Sequence, residues 1–557
     1  MNKNIIFNPK IATFMLGLSM FFTGASGLIN EYVLSTVSTY ILGSSIEQFS
    51  ITIALMMLMM GIGGFVQKFF SDNNLIEKFI FIEILLAIIG SFSSILIYVA
   101  FSFVENHFLL IYYFFVVFIG FLIGFEIPFI IRINQLFAKE LKSNLSVIIA
   151  SDYIGSFIGA LIWIYILLPN FILTQISFIV TSLNFIIAFL TFLYFIKFGF
   201  IKRVYIFFIF IIFTFILLLY GFLNVHKWQV SLEQYLYDDK VIVSKTTKYQ
   251  HLTITHNKAL DEYRLYINGN IQFSSLDEAR YHESLVHPII KLVKNHSNIL
   301  ILGGGDGLVL KQLQQYKNIK SITLVDLDDQ IVEFAKNNSI LTKLNNNAFN
   351  NSKIHILNNK SISSDDIKSI YKKSSKNQND FIAVVDVINI DAYKFLHKIK
   401  SHFYDVIIMD FPDPSSIELN KLYSKEFFSK LKRVLNKNGM LVLQATSSYH
   451  SKEAYLCIGR TLKSVLFKTI PFHENIPSFG DWGFYLAWDF NMSEDDMRKK
   501  IHNLDFFDIN TTYLTTDIFK RSLIFGKDEL KSDKSSINTL MRPELFYLYK
   551  DNSWLNY

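Results

Sequence analysis

A lone cysteine, Cys457, among 557 residues rules out an internal disulfide and by itself says nothing about compartment. The Cys and His residues fall in none of the spacings that hold zinc, and no glycine-rich loop runs into a Lys-Ser or Lys-Thr pair. Neither a metal centre nor a phosphate loop of that kind is expected. Nothing points to a nucleic-acid partner, and none is expected. Charge is scarce over the first 224 residues and returns to soluble density from His226 onward. That change marks the main domain boundary and excludes an ordinary water-soluble protein for the first part of the chain.

Apolar side chains fill that first part. The chain is 51% hydrophobic with 55 Phe, and a hydrocarbon core is crossed by roughly 20 apolar residues in helix. Seven segments meet this, near 11 to 30 (running on to 43), 49 to 69, 79 to 101, 108 to 131, 145 to 168, 172 to 196 and 204 to 223. More spans follow the first, so it reads as an anchor rather than a cleaved signal peptide.

Lys3 and Lys10, Lys68 and Lys78, Arg132 with Lys139 and Lys142, and Lys197 with Lys202 and Arg203 flank alternate ends, whereas the intervening loops have no basic residue. The positive-inside rule places the N-terminus in the cytoplasm. Seven complete crossings would then put the second half outside. Glu31, Glu126 and Asp152 lie within the spans; intramembrane acids suggest an ion or substrate path. The plainer expectation is that they pair with Arg132 or with backbone near glycines, and that Gly155, Ser156 and Gly159 permit close helix packing.

In the second half, residues 231 to 275 alternate as short strands with NGN as a hairpin turn. NILIL, SITLVDLD, FIAVVDVINID, YDVIIMDF and GMLVLQATS then alternate with helical patterns, which predicts a parallel, doubly wound sheet with ligands at the carboxyl ends of its strands. The expected organisation is a transmembrane domain over 1–224, a linker and β-strand subdomain over 225–275, a Rossmann-like α/β domain over 276–500 and a helical extension over 501–557. Residues 342–380, rich in Asn, Ser and Lys, read as an exposed, mobile insertion in that α/β domain.

NILILGGGDGLVL ends a strand and opens a helix, so its amides are available to a ligand. Asp326, 23 residues past Gly303, stands where an acid takes ribose hydroxyls. A dinucleotide or S-adenosylmethionine would fit both features. The dinucleotide pattern is broken by Leu308, and Asp306 would repel a pyrophosphate but suits a cation; alternatively Asp306 only caps the helix. DFPDP adds Asp410 and Asp413 past another strand, and INGNIQFSSLDEARYHESLVHP adds Gln272, Asp277, Tyr281, His282 and Glu283. The acids at 306, 410 and 413 define a site for cations.

TKYQHLTI, YINGNIQFSSLDEARYHESLVHP, ILGGGDG, LVDLDD and DFPDP, in this order, resemble the spermidine synthase family of polyamine aminopropyltransferases. LYSKEFFSKLKRVLNKNGMLVLQATS, NIPSFGDWGF and SSINTLMRPELFYLYK are similar to its long bacterial, membrane-anchored members with an N-terminal multi-spanning domain, as are SGLINEYVL and GFEIPF. The resemblance implies transfer of a 3-aminopropyl group from decarboxylated S-adenosylmethionine, as co-substrate and with no prosthetic group, to a polyamine acceptor such as putrescine. It implies Asp410 as the base and Tyr281 as the group orienting the attacking nitrogen. Gln250, Gln272, His282, Asp306, Asp326, Asp391, Gly303 and Gly305 would then hold the donor, Asp306 at its ammonium, Asp326 at its ribose and Asp391 at its adenine amino group. Asp413 and Gln444 would hold the acceptor, with Asp481 or Trp482 in place of a tyrosine missing from IPSFGDWGF. Asp326 stands where the family often has Glu.

This reading expects a multi-pass protein of the cell membrane in contact with the lipid bilayer, with a small-molecule polyamine as substrate. A homo-oligomer is compatible with it. The catalytic domain is expected in the cytoplasm, which requires that the fifth, sixth or seventh segment fail to cross. Other readings are a sensor or regulatory domain that has lost its chemistry, a methyltransferase of the same fold, and a membrane part that transports a polyamine or related cation rather than anchoring.

Overall fold

The computed structural model describes residues 9–42, 45–104, 107–137, 141–350, 354–357 and 383–551. The chain divides into two compact units, Met1–Val241 and Ile242–Tyr557.

In the first unit, seven helices among the described residues are long and apolar enough to cross a membrane: Pro9–Thr39, Glu47–Phe69, Leu75–Phe103, Phe108–Gln135, Asn144–Asn170, Leu173–Ile196 and Val204–Leu236. The last runs past the expected boundary at 224, carrying Trp228 and Leu232 against Val225 and Leu218. Small residues bring the first and fifth helices together: a Cβ on Gly155 would lie 1.9 Å from the Phe21 carbonyl oxygen, so only glycine permits this approach. Arg132 does not pair with Glu31, Glu126 or Asp152. Its guanidinium binds Asp72, the Gln67 side chain and the Phe70 carbonyl, because it lies at the far end of its helix, two turns beyond Glu126. Gly24 packs closely against Asp152, where a Cβ would lie 2.5 Å from the Asp152 carbonyl oxygen, and the backbone bond at this point is made by Ser156, whose hydroxyl donates to the Gly24 carbonyl at 3.1 Å.

The second unit starts with a four-stranded antiparallel sheet of β1 (Lys240–Thr246), β2 (His251–Asn257), β3 (Glu262–Ile267) and β4 (Asn270–Ser274). Asn268 and Gly269, both at positive φ, make the tight turn between β3 and β4. There follows an eight-stranded sheet of β5 (Asn298–Gly303), β6 (Ser321–Asp326), β7 (Ile354–Leu357), β8 (Val384–Asn389), β9 (Tyr404–Asp410), β10 (Leu435–Gln444), β11 (Lys468–Ile476) and β12 (Gly480–Trp488), in the order β11-β12-β10-β9-β5-β6-β8-β7. The strands from β10 to β7 are parallel, and β12 and β11 add antiparallel at one edge. Helices cover both faces. Ile299 and Ile301 pack into one core and Leu300 and Leu302 into the other, all fully buried, which is why β5 is an unbroken apolar run. Burying each such side chain stabilises by about 1.5–3 kcal/mol.

This is the Rossmann-like, doubly wound architecture expected from the strand pattern. Chain order reverses between β5 and β9, and the crevice at that reversal is where such sheets hold ligands. The stretch expected as an exposed insertion is partly core. Asn345, Ala348 and Phe349 are buried, and residues 354–357 form edge strand β7; residues 358–382 lie outside the described residues.

Candidate active site

The crevice is built by two strand ends in register, Gly303 of β5 beside Asp410 of β9. Gly303 has φ +86°, and a Cβ there would lie 2.0 Å from the Asp410 carbonyl oxygen, so glycine is required for the strands to meet this closely. The turn then swings toward β6, where the Gly305 N–H donates to Asp326 Oδ2 at 3.1 Å and the Asp328 N–H to Asp326 Oδ1 at 2.9 Å. Burial pushes the Asp326 carboxyl up to about 7.

Asp306 does act as a helix bracket: its Oδ1 accepts the Leu308 N–H at 2.9 Å. It also belongs to the acid cluster. Burial, with Asp410 nearby and against the pull of His282, raises its pKa to about 6. The turn is braced from the stretch expected to be an insertion, since Asn345 Nδ2 donates to the Asp306 carbonyl at 3.0 Å.

Helix Glu278–Leu292 faces this turn. Tyr281 donates its hydroxyl hydrogen to Asp410 Oδ1 at 2.6 Å. Burial raises the Asp410 carboxyl, while His282 and the Tyr281 hydrogen bond pull it down. Next along the helix, His282 Nδ1 lies 3.0 Å from Glu278 Oε2, and Lys311 Nζ 2.7 Å from Glu278 Oε1. Burial opposes a charge on His282, but Glu278, Asp306 and Asp410 outweigh it and hold the imidazolium up to about 9. Glu278, drawn down to about 2 against its burial, was absent from the sequence reading; its i,i+4 spacing to His282 was the available signal. Asp277 and Glu283 do not join the acids. Asp277 accepts from Ser478, and Glu283 from the amides of Thr512, Tyr513 and Leu514, so both anchor distant loops.

On the far side of Asp410, the DFPDP loop presents Asp413. Its Oδ2 accepts the Thr446 hydroxyl at 3.2 Å and the Tyr549 hydroxyl at 2.9 Å, while its buried Oδ1 has no partner among the described residues. Burial pushes the carboxyl up to about 6. Gln444 stands behind the loop, donating to the Phe411 carbonyl and to the Tyr423 hydroxyl, which itself donates to the Pro412 carbonyl at 3.1 Å. Tyr423 and Tyr549 were not singled out from sequence. Tyr549 arrives on helix Glu544–Asp551, whose Leu545 and Leu548 enter the core.

The remaining candidates divide. Trp482 packs against Phe479 with ring centroids 4.8 Å apart, Phe479 lies beside Tyr281, and the buried Trp482 indole N–H has no partner among the described residues. Asp481, one position earlier on β12, is occupied by His473 at 2.6 Å and by the Ser448 hydroxyl. Gln250 donates to Asp328 Oδ2 at 2.9 Å, and the Asp328 N–H in turn donates to Asp326 Oδ1. Gln272 Nε2 reaches only nearby backbone carbonyls of its own strand, at 3.3 and 3.4 Å. Asp391, at the end of β8, accepts the Lys394 N–H at 3.0 Å and pairs with Lys421, which lowers its pKa against its burial.

A doubly wound α/β domain thus gathers three acids, a tyrosine bonded to one of them and a buried histidine at its strand-order reversal, the place where enzymes of this fold class bind their ligands. The model of the spermine/spermidine synthase domain matches residues 278–382 and 365–499. A polyamine aminopropyltransferase of Oceanobacillus iheyensis is 34% identical, covering 100% of both chains. One from Leptospira interrogans is 35% identical over 85% of this chain and 87% of its own. A crystal structure of spermidine synthase in complex with the transition-state analogue AdoDATO aligns with 52% of this chain and 87% of its own, at 19% identity and a TM-score of 0.41. The chain belongs to the spermine/spermidine synthase family, in its long form with an N-terminal helical unit.

Proposed function

We propose that the protein transfers a 3-aminopropyl group from decarboxylated S-adenosylmethionine to a polyamine such as putrescine, forming spermidine and 5′-methylthioadenosine. The observation that carries this reading is the Tyr281–Asp410 hydrogen bond beside the unpartnered oxygen of Asp413. A sulfonium leaves without help from an acid. The enzyme's task is to supply a neutral amine in line with the reacting carbon. Amines of this type have pKa values of about 10, so one must surrender a proton as it attacks. Asp410 takes that proton, and Tyr281 steers both Asp410 and the nitrogen. Asp413 Oδ1 holds the acceptor's distal ammonium, with Thr446 and Tyr549 fixing its other oxygen and Gln444 and Tyr423 stiffening the loop.

On the donor side, Asp306 meets the ammonium and Asp326 the ribose, with Gly303 and Gly305 allowing close approach and Gln250 steadying Asp328. His282, held by Glu278, sets the local charge balance. Donor and acceptor cations lower the acids' pKa on arrival, so the site is charged when filled. Asp391 reads the adenine amino group only by exchanging Lys421 for it. Trp482 fits the acceptor side better than Asp481 does, and Gln272 contacts the donor only if β4 turns its side chain inward. A methyl transfer to a neutral acceptor would have no use for Asp413.

The helical unit lies in the lipid bilayer and the α/β unit faces the cytoplasm, with one of the last three apolar helices failing to cross, so that the N-terminus also stays on the cytoplasmic side. The test is to incubate the purified full-length protein with decarboxylated S-adenosylmethionine and a panel of amines and to weigh the products. An amine heavier by one aminopropyl group, formed with 5′-methylthioadenosine, is expected; a methylated product or none overturns the reading.

A further inference from the structure

Four of the apolar helices bring polar side chains to one buried point. Glu83 of the third helix is fully buried, Glu126 of the fourth 2% exposed, and Asn184 of the sixth 3% exposed. Asn184 Nδ2 donates to Glu83 Oε2 at 3.0 Å and to Glu126 Oε1 at 3.5 Å. Its Oδ1 accepts the hydroxyl of Ser26 from the first helix, and Asn30 Nδ2 donates to that Ser26 oxygen at 3.4 Å.

One atom in this arrangement is left over. Glu83 Oε1 is buried with no hydrogen-bond partner among the described residues, and the acid beside it, held by the same Asn184 amide, is Glu126, itself an acceptor unless protonated. The next charge is Asp152 of the fifth helix, another acid, and among the described residues no lysine or arginine acts on either carboxyl. The backbone is also irregular here. Helix Phe108–Ile123 stops, the Phe125 N–H turns back to the Leu122 carbonyl at 3.0 Å, and a second helix starts at Glu126. Breaks of this kind at the middle of a bundle are where membrane proteins place ion sites.

Two neighbouring carboxylates this deeply buried cannot both stay charged; a proton or a bare cation has to join them. We propose that Glu83 and Glu126 form a monovalent-cation site inside the helical unit, loaded with a proton or a sodium-sized ion, so that this unit binds a ligand as well as holding the chain in place. Every surrounding side chain is nearly or wholly buried, which excludes a hydrated ion or an organic amine from the closed site. Oxygen ligands alone suit a hard cation. The site is independent of aminopropyl transfer, and its test does not read that reaction.

The experiment is infrared difference spectroscopy of the full-length protein in detergent, titrated with pH in choline chloride and again in sodium chloride at equal ionic strength. A protonated-carboxyl band that disappears as pH rises is expected, displaced in Glu83→Gln and in Glu126→Gln, each of which keeps one buried carboxyl, and lost when both are replaced. A lower midpoint in sodium identifies competition by that ion; an unmoved midpoint assigns the site to the proton alone. Glu126→Asp keeps a carboxyl on a shorter arm and guards against loss of fold, checked by gel filtration. It is expected to keep the band with a displaced midpoint. A wild-type spectrum without a titrating carboxyl, or a band that Glu126→Asp leaves unmoved, overturns the site.

Discussion

Tyr281 and Asp410, 129 residues apart in the chain, meet at 2.6 Å across the crevice between β5 and β9. The tyrosine donates, so it stabilises the charged form of the carboxylate that is to accept a proton, against the burial that raises its pKa. Asp410→Asn is expected to abolish aminopropyl transfer while leaving donor affinity largely intact, measured by turnover and by calorimetric titration with the donor. General-base removal of this kind costs about 10²–10⁴ in rate. Normal turnover in the variant would exclude Asp410 as the base.

Tyr281→Phe keeps the ring and removes the hydrogen bond. With that support gone, the Asp410 pKa rises further, so the acidic limb of the kcat profile should move to higher pH and kcat should fall by roughly tenfold to a hundredfold. An unchanged limb would show that the hydroxyl only fills space.

Tyr549 is the contribution of the C-terminal extension, bonded to Asp413 at 2.9 Å. Tyr549→Phe frees Asp413 Oδ2 and loosens the acceptor carboxylate. The KM for the amine is expected to rise by about tenfold, the worth of one charge-assisted hydrogen bond, with the donor KM unchanged. Equal changes in both constants would place Tyr549 in folding rather than acceptor binding.

Asp306→Asn separates a cation contact from a helix bracket. The amide oxygen can still accept from Leu308, but the charge is lost, so decarboxylated S-adenosylmethionine should weaken far more than 5′-methylthioadenosine, which lacks the ammonium arm. Equal losses would reduce Asp306 to its structural bond.

Binding of the cationic substrates should weaken in acid. Asp306 and Asp413 both titrate near 6 when free, and cations bind the carboxylate forms. Above about pH 8, where Asp326 is ionised as well, affinity should be flat; below 6 it should fall, by up to tenfold per pH unit for each group engaged. Binding near pH 6 should therefore release protons, detectable as a buffer-dependent heat. Proton uptake on binding would contradict the assigned contacts.

Much of this was legible in the sequence because the signals are local. The run NILIL before three glycines specifies a strand and a turn through backbone freedom alone, and an acid three residues after another in DFPDP is visible without a fold. Glu278 and His282 were within reach through helical spacing. Other partners were not. Asp277 and Glu283 looked like members of the site because they share its helix, yet a helix turns 100° per residue and they face loops 201 to 231 residues away. Asn345 sits in a stretch whose composition reads as disorder, but two buried neighbours, Ala348 and Phe349, hold it in the core beneath the glycine turn.

By itself the sequence determined the two halves, the strand and helix alternation, the order of motifs and the acids proposed for the chemistry, since each depends on residues within a turn or two. The tertiary structure alone decided which acids are free to act. Asp413 keeps an open oxygen because Tyr549 and Thr446 occupy only the other, while Asp481 is consumed by His473 and Asp391 by Lys421. A carboxylate's availability is set by the donors that long-range packing brings to it, and no local pattern records where those donors come to rest.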